Sequence, residues 1–192
     1  LMYLMINSKY IRIYDFTLSL TLIIFLSPLI IFLLIICWFE SPKPIFVQKR
    51  VGKNQVPFNL YKFRTMKLNS PSLASHLVSQ NQVTPIGRII RLLKLDELLQ
   101  LINVLKGDMS LIGPRPCLFN QKELISEREK YNLFSVKPGI SGLAQIKGID
   151  MSKPFLLAKT EHNMISNFSQ TKYFKYLFLT FSGKGKGDRV KK

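Results

Sequence analysis

The chain has 192 residues, 47% of them hydrophobic, with 28 lysines and arginines against 11 aspartates and glutamates, a formal net charge of +17. That length suits one domain with a real core, and the apolar content excludes wholesale disorder. So basic a chain implies a polyanionic partner: nucleic acid, an anionic membrane surface or a phosphorylated substrate. Its two cysteines and two histidines make neither a disulfide framework nor a histidine-rich metal site.

The first feature in chain order is the uncharged run from Phe16 to Phe39, FTLSLTLIIFLSPLIIFLLIICWF, bracketed by Asp15 and Glu40. As one helix it is ~36 Å long, enough to cross a hydrocarbon core of ~30 Å. It is too long for a secretory signal, and no small-residue cleavage site follows it. Ser27-Pro28 stands at its midpoint, where proline removes a backbone donor. Both flanks are basic, with Lys9 and Arg12 before and Lys43, Lys49, Arg50 and Lys53 after, and the positive-inside bias puts both ends on the cytoplasmic side. Two topologies are compatible with this: a re-entrant helix hairpin broken at Ser27-Pro28, or a kinked span. At such a break the Ser27 hydroxyl meets a carbonyl that proline frees.

Residues 44–67, PIFVQKRVGKNQVPFNLYKFRTMK, alternate apolar and polar side chains on either side of Gly52-Lys53-Asn54, which predicts a β-hairpin. Its second strand runs into Lys62, Arg64 and Lys67, interleaved with Tyr61 and Phe63. These cations read either as a membrane-facing basic surface or as a phosphate cradle. In the cradle Arg64 is the stronger ligand, because guanidinium binds phosphate oxygens bidentately. Residues 68–85 are polar and unperiodic, a surface loop with His76 solvated.

The stretch GRIIRLLKLDELLQLINVLKG, residues 87–107, predicts a helix that stops at Gly107. On one continuous helix Asp96, Gln100 and Asn103 form a polar stripe beside a core face of Leu92, Leu95, Leu99 and Ile102, with Glu97 pointing about 100° from Asp96. That stripe is either the wet side of an amphipathic helix or one wall of a site. The flanking residues favour a site. Gly113-Pro114-Arg115-Pro116 is a stiff turn that presents one arginine in fixed register, and Arg88, Arg91 and Lys94 lie just upstream of the acids. Carboxylates flanked by cations beside a membrane suit phosphoryl transfer, with a carboxylate to hold a divalent metal or attack phosphorus and cations to spread the developing charge.

Further on, NQKELISEREKYNLF reads as an exposed helix of mixed charge. KPGISGLAQIKG, residues 137–148, reads as a turn-rich loop that is neither a P-loop nor a dinucleotide fingerprint. KYFKYLFLTF, residues 172–181, is an aromatic helix that lies in the headgroup region or packs on the core. The whole reads as an α+β, mainly helical chain: a membrane helix over 1–40, a membrane-associated catalytic domain over 41–183 with a small β-hairpin and amphipathic interfacial helices, and a basic tail over 184–192.

Three blocks, PIFVQKRVGKNQVPFNLYKFRTM, LDELLQLINVLKGDMSLIGPRP and KPGISGLAQIKG, resemble those of the bacterial sugar transferases, the monotopic polyprenyl-phosphate phosphoglycosyltransferases, over about residues 10 to 180. The resemblance implies transfer of a sugar 1-phosphate from a UDP-sugar to undecaprenyl phosphate, with release of UMP and a requirement for Mg²⁺, at the cytoplasmic face of the inner membrane. It implies Asp96 as the nucleophile and metal contact, Glu97 as its assistant, and Arg91 and Arg115 as phosphate ligands. Lys62 and Arg64 of the basic strand join them as candidate cradle residues, with Gln100 of the polar stripe and Glu161 as candidate accessories. It also implies the re-entrant topology.

This chain departs from the family pattern in carrying Leu99 where relatives often have proline, which predicts a more continuous helix at the dyad. It also has Gly148-Ile149 where many have Gly-Arg, and Glu161 and Met164 where an Asp and a Tyr are common. The compact size resembles members that use N-acetylated amino sugars, so the expected donor is a UDP-N-acetyl deoxyhexosamine, and the product starts a surface glycan such as O-antigen, capsule, exopolysaccharide or a glycoprotein glycan. The alternative is a non-enzymatic, membrane-tethered basic protein that binds anionic lipid or nucleic acid. No nucleic-acid module is recognisable, and such a binder has no need of Asp96-Glu97.

Overall fold

The computed structural model describes residues 5–70 and 80–183. The long apolar run forms α1 (Lys9–Glu40), one uninterrupted helix that contains Pro28 and is long and apolar enough to cross a membrane. The helix runs through Ser27-Pro28, so the expected hairpin is not seen as two separate helices. The reason is local: proline cannot donate to the carbonyl four residues back, and the Ser27 hydroxyl donates to that carbonyl, Ile24 O, at 2.8 Å. With the freed acceptor satisfied, the helix carries on through the proline.

One stripe of α1 packs along the rest of the chain, and the two acids that bracket the apolar run fasten it there. Asp15 accepts from the Leu111 amide and the Tyr173 hydroxyl, each at 2.9 Å. Glu40 accepts from the Thr84 hydroxyl at 2.5 Å and the Ile86 amide at 3.2 Å. Near the start of the helix the Arg12 guanidinium donates to the carbonyls of Val104 and Leu105. The opposite face shows Ile24, Phe25, Ile31, Phe32, Ile35, Trp38 and Phe39 to the outside.

The predicted hairpin is present as β1 (Ile45–Val51) and β2 (Pro57–Phe63), antiparallel with Val47 opposite Tyr61. The predicted helix over 87–107 is corrected to three pieces: α2 (Pro85–Leu92), a 3₁₀ turn at Leu95–Glu97, and α3 (Gln100–Lys106). The interruption is Lys94, whose left-handed backbone, φ 58°, no α-helix accommodates. Leu99 does not restore continuity. It is buried, next to Leu33, Cys37 and Phe63.

After Gly107 the chain forms β3 (Ser110–Ile112), which pairs in parallel with β4 (Gly139–Ser141) inside the segment read as a loop. Between them α4 (Lys122–Lys130) is not simply exposed, because Leu124 and Arg128 face inward. A short α5 (Leu143–Ile146), α6 (Pro154–Ser166) and α7 (Gln170–Phe181) complete the fold. Helix α7 packs on the core along one face and leaves its other face uncovered. Tyr173 and Tyr176 are buried in the core, while Phe174, Phe178 and Phe181 are exposed, as are the apolar residues Ile89, Leu92 and Leu93 of the α2 region. His76 and the basic tail over 184–192 lie outside the described residues.

Candidate active site

The dyad stands on the 3₁₀ turn, at the junction that Lys94 creates. Asp96 is largely buried, so the wet-face reading of its stripe does not hold; Gln100 and Asn103 are buried as well. The three do not act together. Asn103 joins α3 to β2, accepting from the Tyr61 amide at 3.1 Å and donating to Asn59 O at 2.7 Å. Gln100 faces a narrow crevice also lined by Arg50, Lys62, Glu97 and Arg115.

Two of the predicted cations converge on the dyad. Lys62 Nζ lies 3.0 Å from Glu97 Oε1 and 3.9 Å from Asp96 Oδ2. Arg115 Nη2 lies 3.1 Å from the same Glu97 Oε1. A single carboxylate oxygen therefore holds a lysine from β2 and the arginine of the Pro-Arg-Pro turn. The other two predicted phosphate ligands are placed differently. Arg64 donates through Nε to Lys43 O at 2.7 Å and lies over the Phe46 ring, and burial lowers its pKa. Arg91 stays on α2, its Nε buried with no hydrogen-bond partner among the described residues.

Glu161, expected as an accessory, supports the turn from beneath. It is fully buried on α6. Its Oε1 accepts from the Arg115 backbone amide at 3.1 Å, and its two oxygens take a fork from Arg128, at 2.9 Å from Nε and 2.6 Å from Nη2. Burial pushes the carboxyl up, against the pull of Arg128 and of the Arg115 amide. Arg128 was not singled out by sequence reasoning. Its signal is the spacing to Leu124, four residues earlier, which puts it on the inward face of α4. Arg50 was also missed; it donates to Pro116 O at 3.1 Å and to Gln48 Oε1 at 2.6 Å. The Pro-Arg-Pro turn is thus held by a buried acid on one side and a buried base on the other.

The β3–β4 pairing completes the frame. A Cβ on Gly139 would stand 2.0 Å from Gly113 N, so glycine lets the two backbones meet. Gly139 N donates to Pro114 O and Gly113 N to Ser141 O, both at 2.8 Å.

From the dyad a cleft of about 490 Å³ opens between α1, α3, α7 and β4. Its walls are largely apolar, including Leu22, Leu26, Leu98, Leu101, Ile140, Leu177 and Phe181, and its polar residues include Glu97, Arg115 and Gln145. A pocket with ionic groups at one end and a hydrocarbon lining suits an amphiphile with an anionic head.

Comparison with known proteins places the chain in a family. The bacterial sugar transferase family profile matches residues 6–185, and the chain belongs to that family. Relatives include the uncharacterized sugar transferase EpsL of Bacillus subtilis, 43% identical over 71% of this chain and 68% of that protein. The UDP-N-acetylgalactosamine-undecaprenyl-phosphate N-acetylgalactosaminephosphotransferase of Aeromonas hydrophila is 41% identical over 74% of this chain and 36% of its own length. The UDP-glucose:undecaprenyl-phosphate glucose-1-phosphate transferase of Caulobacter vibrioides is 38% identical over 72% and 54%. The chain thus spans about a third to two thirds of the length of these relatives.

Proposed function

We propose that the chain transfers a sugar 1-phosphate from a UDP-sugar to undecaprenyl phosphate, releasing UMP and starting a surface glycan. The observation that carries this reading is the junction of the Asp96-Glu97 dyad, two convergent cations and an apolar cleft. The relatives whose names specify undecaprenyl phosphate and a UDP-sugar support it.

In the first step a carboxylate oxygen of Asp96 attacks the phosphorus that bears the sugar. The bond to the bridging oxygen breaks, UMP leaves with that oxygen, and the sugar phosphate remains on Asp96 as an acyl phosphate. In the second step a phosphate oxygen of undecaprenyl phosphate attacks the same phosphorus, and the Asp96 carboxylate leaves. Glu97 keeps Lys62 and Arg115 where phosphate oxygens arrive, and those cations turn to the substrate as it binds. The apolar cleft receives the first isoprene units.

Among the described residues no group of three or more His, Cys, Asp or Glu side chains is assembled for a metal. Mg²⁺ is commonly held by one or two carboxylates together with substrate phosphates. Asp96 would hold it, and when bound the ion would neutralise charge on the diphosphate.

The topology belongs to the same proposal. Arg12, at one end of α1, and Glu40, at the other, are both bonded to the catalytic domain, which favours both ends of α1 lying at one leaflet, with a bend at Pro28 and the domain at the cytoplasmic face of the inner membrane. Cysteines placed at residues 9 and 43 are then expected to react from the same side, and labelling from opposite sides overturns the re-entrant reading. For the chemistry, the test is enzyme with UDP-sugar and Mg²⁺ but no acceptor. About one UMP per active site is expected from the wild type and none from Asp96→Asn. An Asp96→Asn variant that turns over like the wild type would falsify the nucleophile assignment.

A further inference from the structure

Gln145, on α5, has no partner among the described residues: both its amide atoms, Oε1 and Nε2, are shielded from solvent and make no hydrogen bond. Buried side-chain amides are ordinarily paired, because an unpaired one loses its water with nothing in exchange. Here a donor and an acceptor are left unpaired on one residue. The residue lines the same cleft as Glu97 and Arg115. A Cβ on Gly142 would lie 2.9 Å from Gln145 Oε1, so the amide is tucked against a position without a side chain. Engagement with a ligand entails a rotamer change that turns it into the cleft.

The chemistry of the vacant pair narrows the ligand. An ionised phosphate only accepts, so it would use Nε2 and leave Oε1 unpaired; in the reaction proposed above its donors are Lys62 and Arg115, which Glu97 holds at the dyad. A sugar hydroxyl or an acetamido group offers a donor and an acceptor together. The geometry points to Gln145 as a specificity-determining residue that reads a hydroxyl or acetamido group on the sugar being transferred. This rests on the reading of the chain as a sugar-phosphate transferase.

The test compares full-length wild type with Gln145→Met, using UDP-glucose, UDP-galactose, UDP-N-acetylglucosamine and UDP-N-acetylgalactosamine, which differ in one or two such groups. Because a site that pairs a polar group discriminates strongly, the variant is expected to lose about 10- to 100-fold in kcat/KM for the best sugar. The ratio between best and worst sugars should narrow by about tenfold, with the KM for undecaprenyl phosphate unchanged. The Tm of the ligand-free variant should stay the same or rise, since methionine removes two unpaired buried groups. An equal loss for all four sugars overturns the assignment in favour of the uridine, and a raised acceptor KM overturns it in favour of the lipid phosphate. A lowered Tm with the sugar ratio intact makes Gln145 a structural residue. Absence of UMP from the wild type with these four sugars and with a UDP-N-acetyl deoxyhexosamine sinks the transferase reading and this assignment with it.

Discussion

Glu97 and Glu161 are both glutamates bonded to arginine, and both bear on the same arginine-bearing turn, yet they live under different rules. Glu161 is fully buried, and its two oxygens are taken by the Arg128 fork and the Arg115 amide. Glu97 is partly exposed at the cleft, and one of its oxygens meets Lys62 at 3.0 Å and Arg115 at 3.1 Å. A bidentate pair in a dry interior is fixed, and losing one partner leaves a stranded charge. Partly exposed contacts exchange at little cost. The first arrangement builds a frame; the second leaves its contacts exchangeable, as the proposed reaction requires.

The largest effect that sharpens this contrast is on Glu161. Glu161→Gln leaves Arg128 charged and buried, and is expected to cost about 3–5 kcal/mol of folding stability. Chemical denaturation measures it, and a loss below about 1 kcal/mol would place this pair with surface bridges. Glu161→Gln combined with Arg128→Met removes the stranded charge and should recover part of the loss.

Glu97→Gln should show the reverse profile. Stability should change by less than about 1 kcal/mol, since the contacts are partly exposed. UMP release should fall by about 10²-fold, as expected for loss of a group that organises charge around the transferred phosphate. Parallel denaturation and UMP assays decide it. If the variant unfolds as easily as Glu161→Gln, the division between frame and working site collapses.

Much of this was legible in the sequence, for reasons that differ from place to place. The β1–β2 hairpin announces itself by alternation, and the Ser27–Ile24 bond follows from covalent logic, because proline always frees the carbonyl four residues back. Asp96-Glu97, Lys62 and Arg115, which the structure brings together, stand out in the sequence because their chemistry is local. Three features were not legible. Lys94 breaks the helix through a left-handed backbone that is common for asparagine or glycine and unannounced by lysine. The β3–β4 pairing joins segments far apart in sequence, and neither Ser110–Ile112 nor Gly139–Ser141 is long enough to show a period. Glu161 looked like a site accessory because the family motif carries an acid there, whereas its role depends on Arg128, whose burial only the tertiary packing decides.

The smallest effect concerns α1, where the same contrast between fixed and exchangeable bonds recurs along one helix. Asp15 and Glu40 fasten its two ends with bonds to the domain, while Ser27 satisfies a carbonyl within the helix itself. Ser27→Ala leaves Ile24 O without a donor beside Pro28, in a segment with exposed apolar neighbours, and is expected to cost about 1 kcal/mol. The loss should be larger in bilayer than in detergent that admits water to the helix, because only water can replace the hydroxyl there. Thermal unfolding of the variant in both media measures the difference. An equal cost in the two would mean that water reaches Ile24 O in either case, and that the middle of α1 is not at hydrocarbon depth.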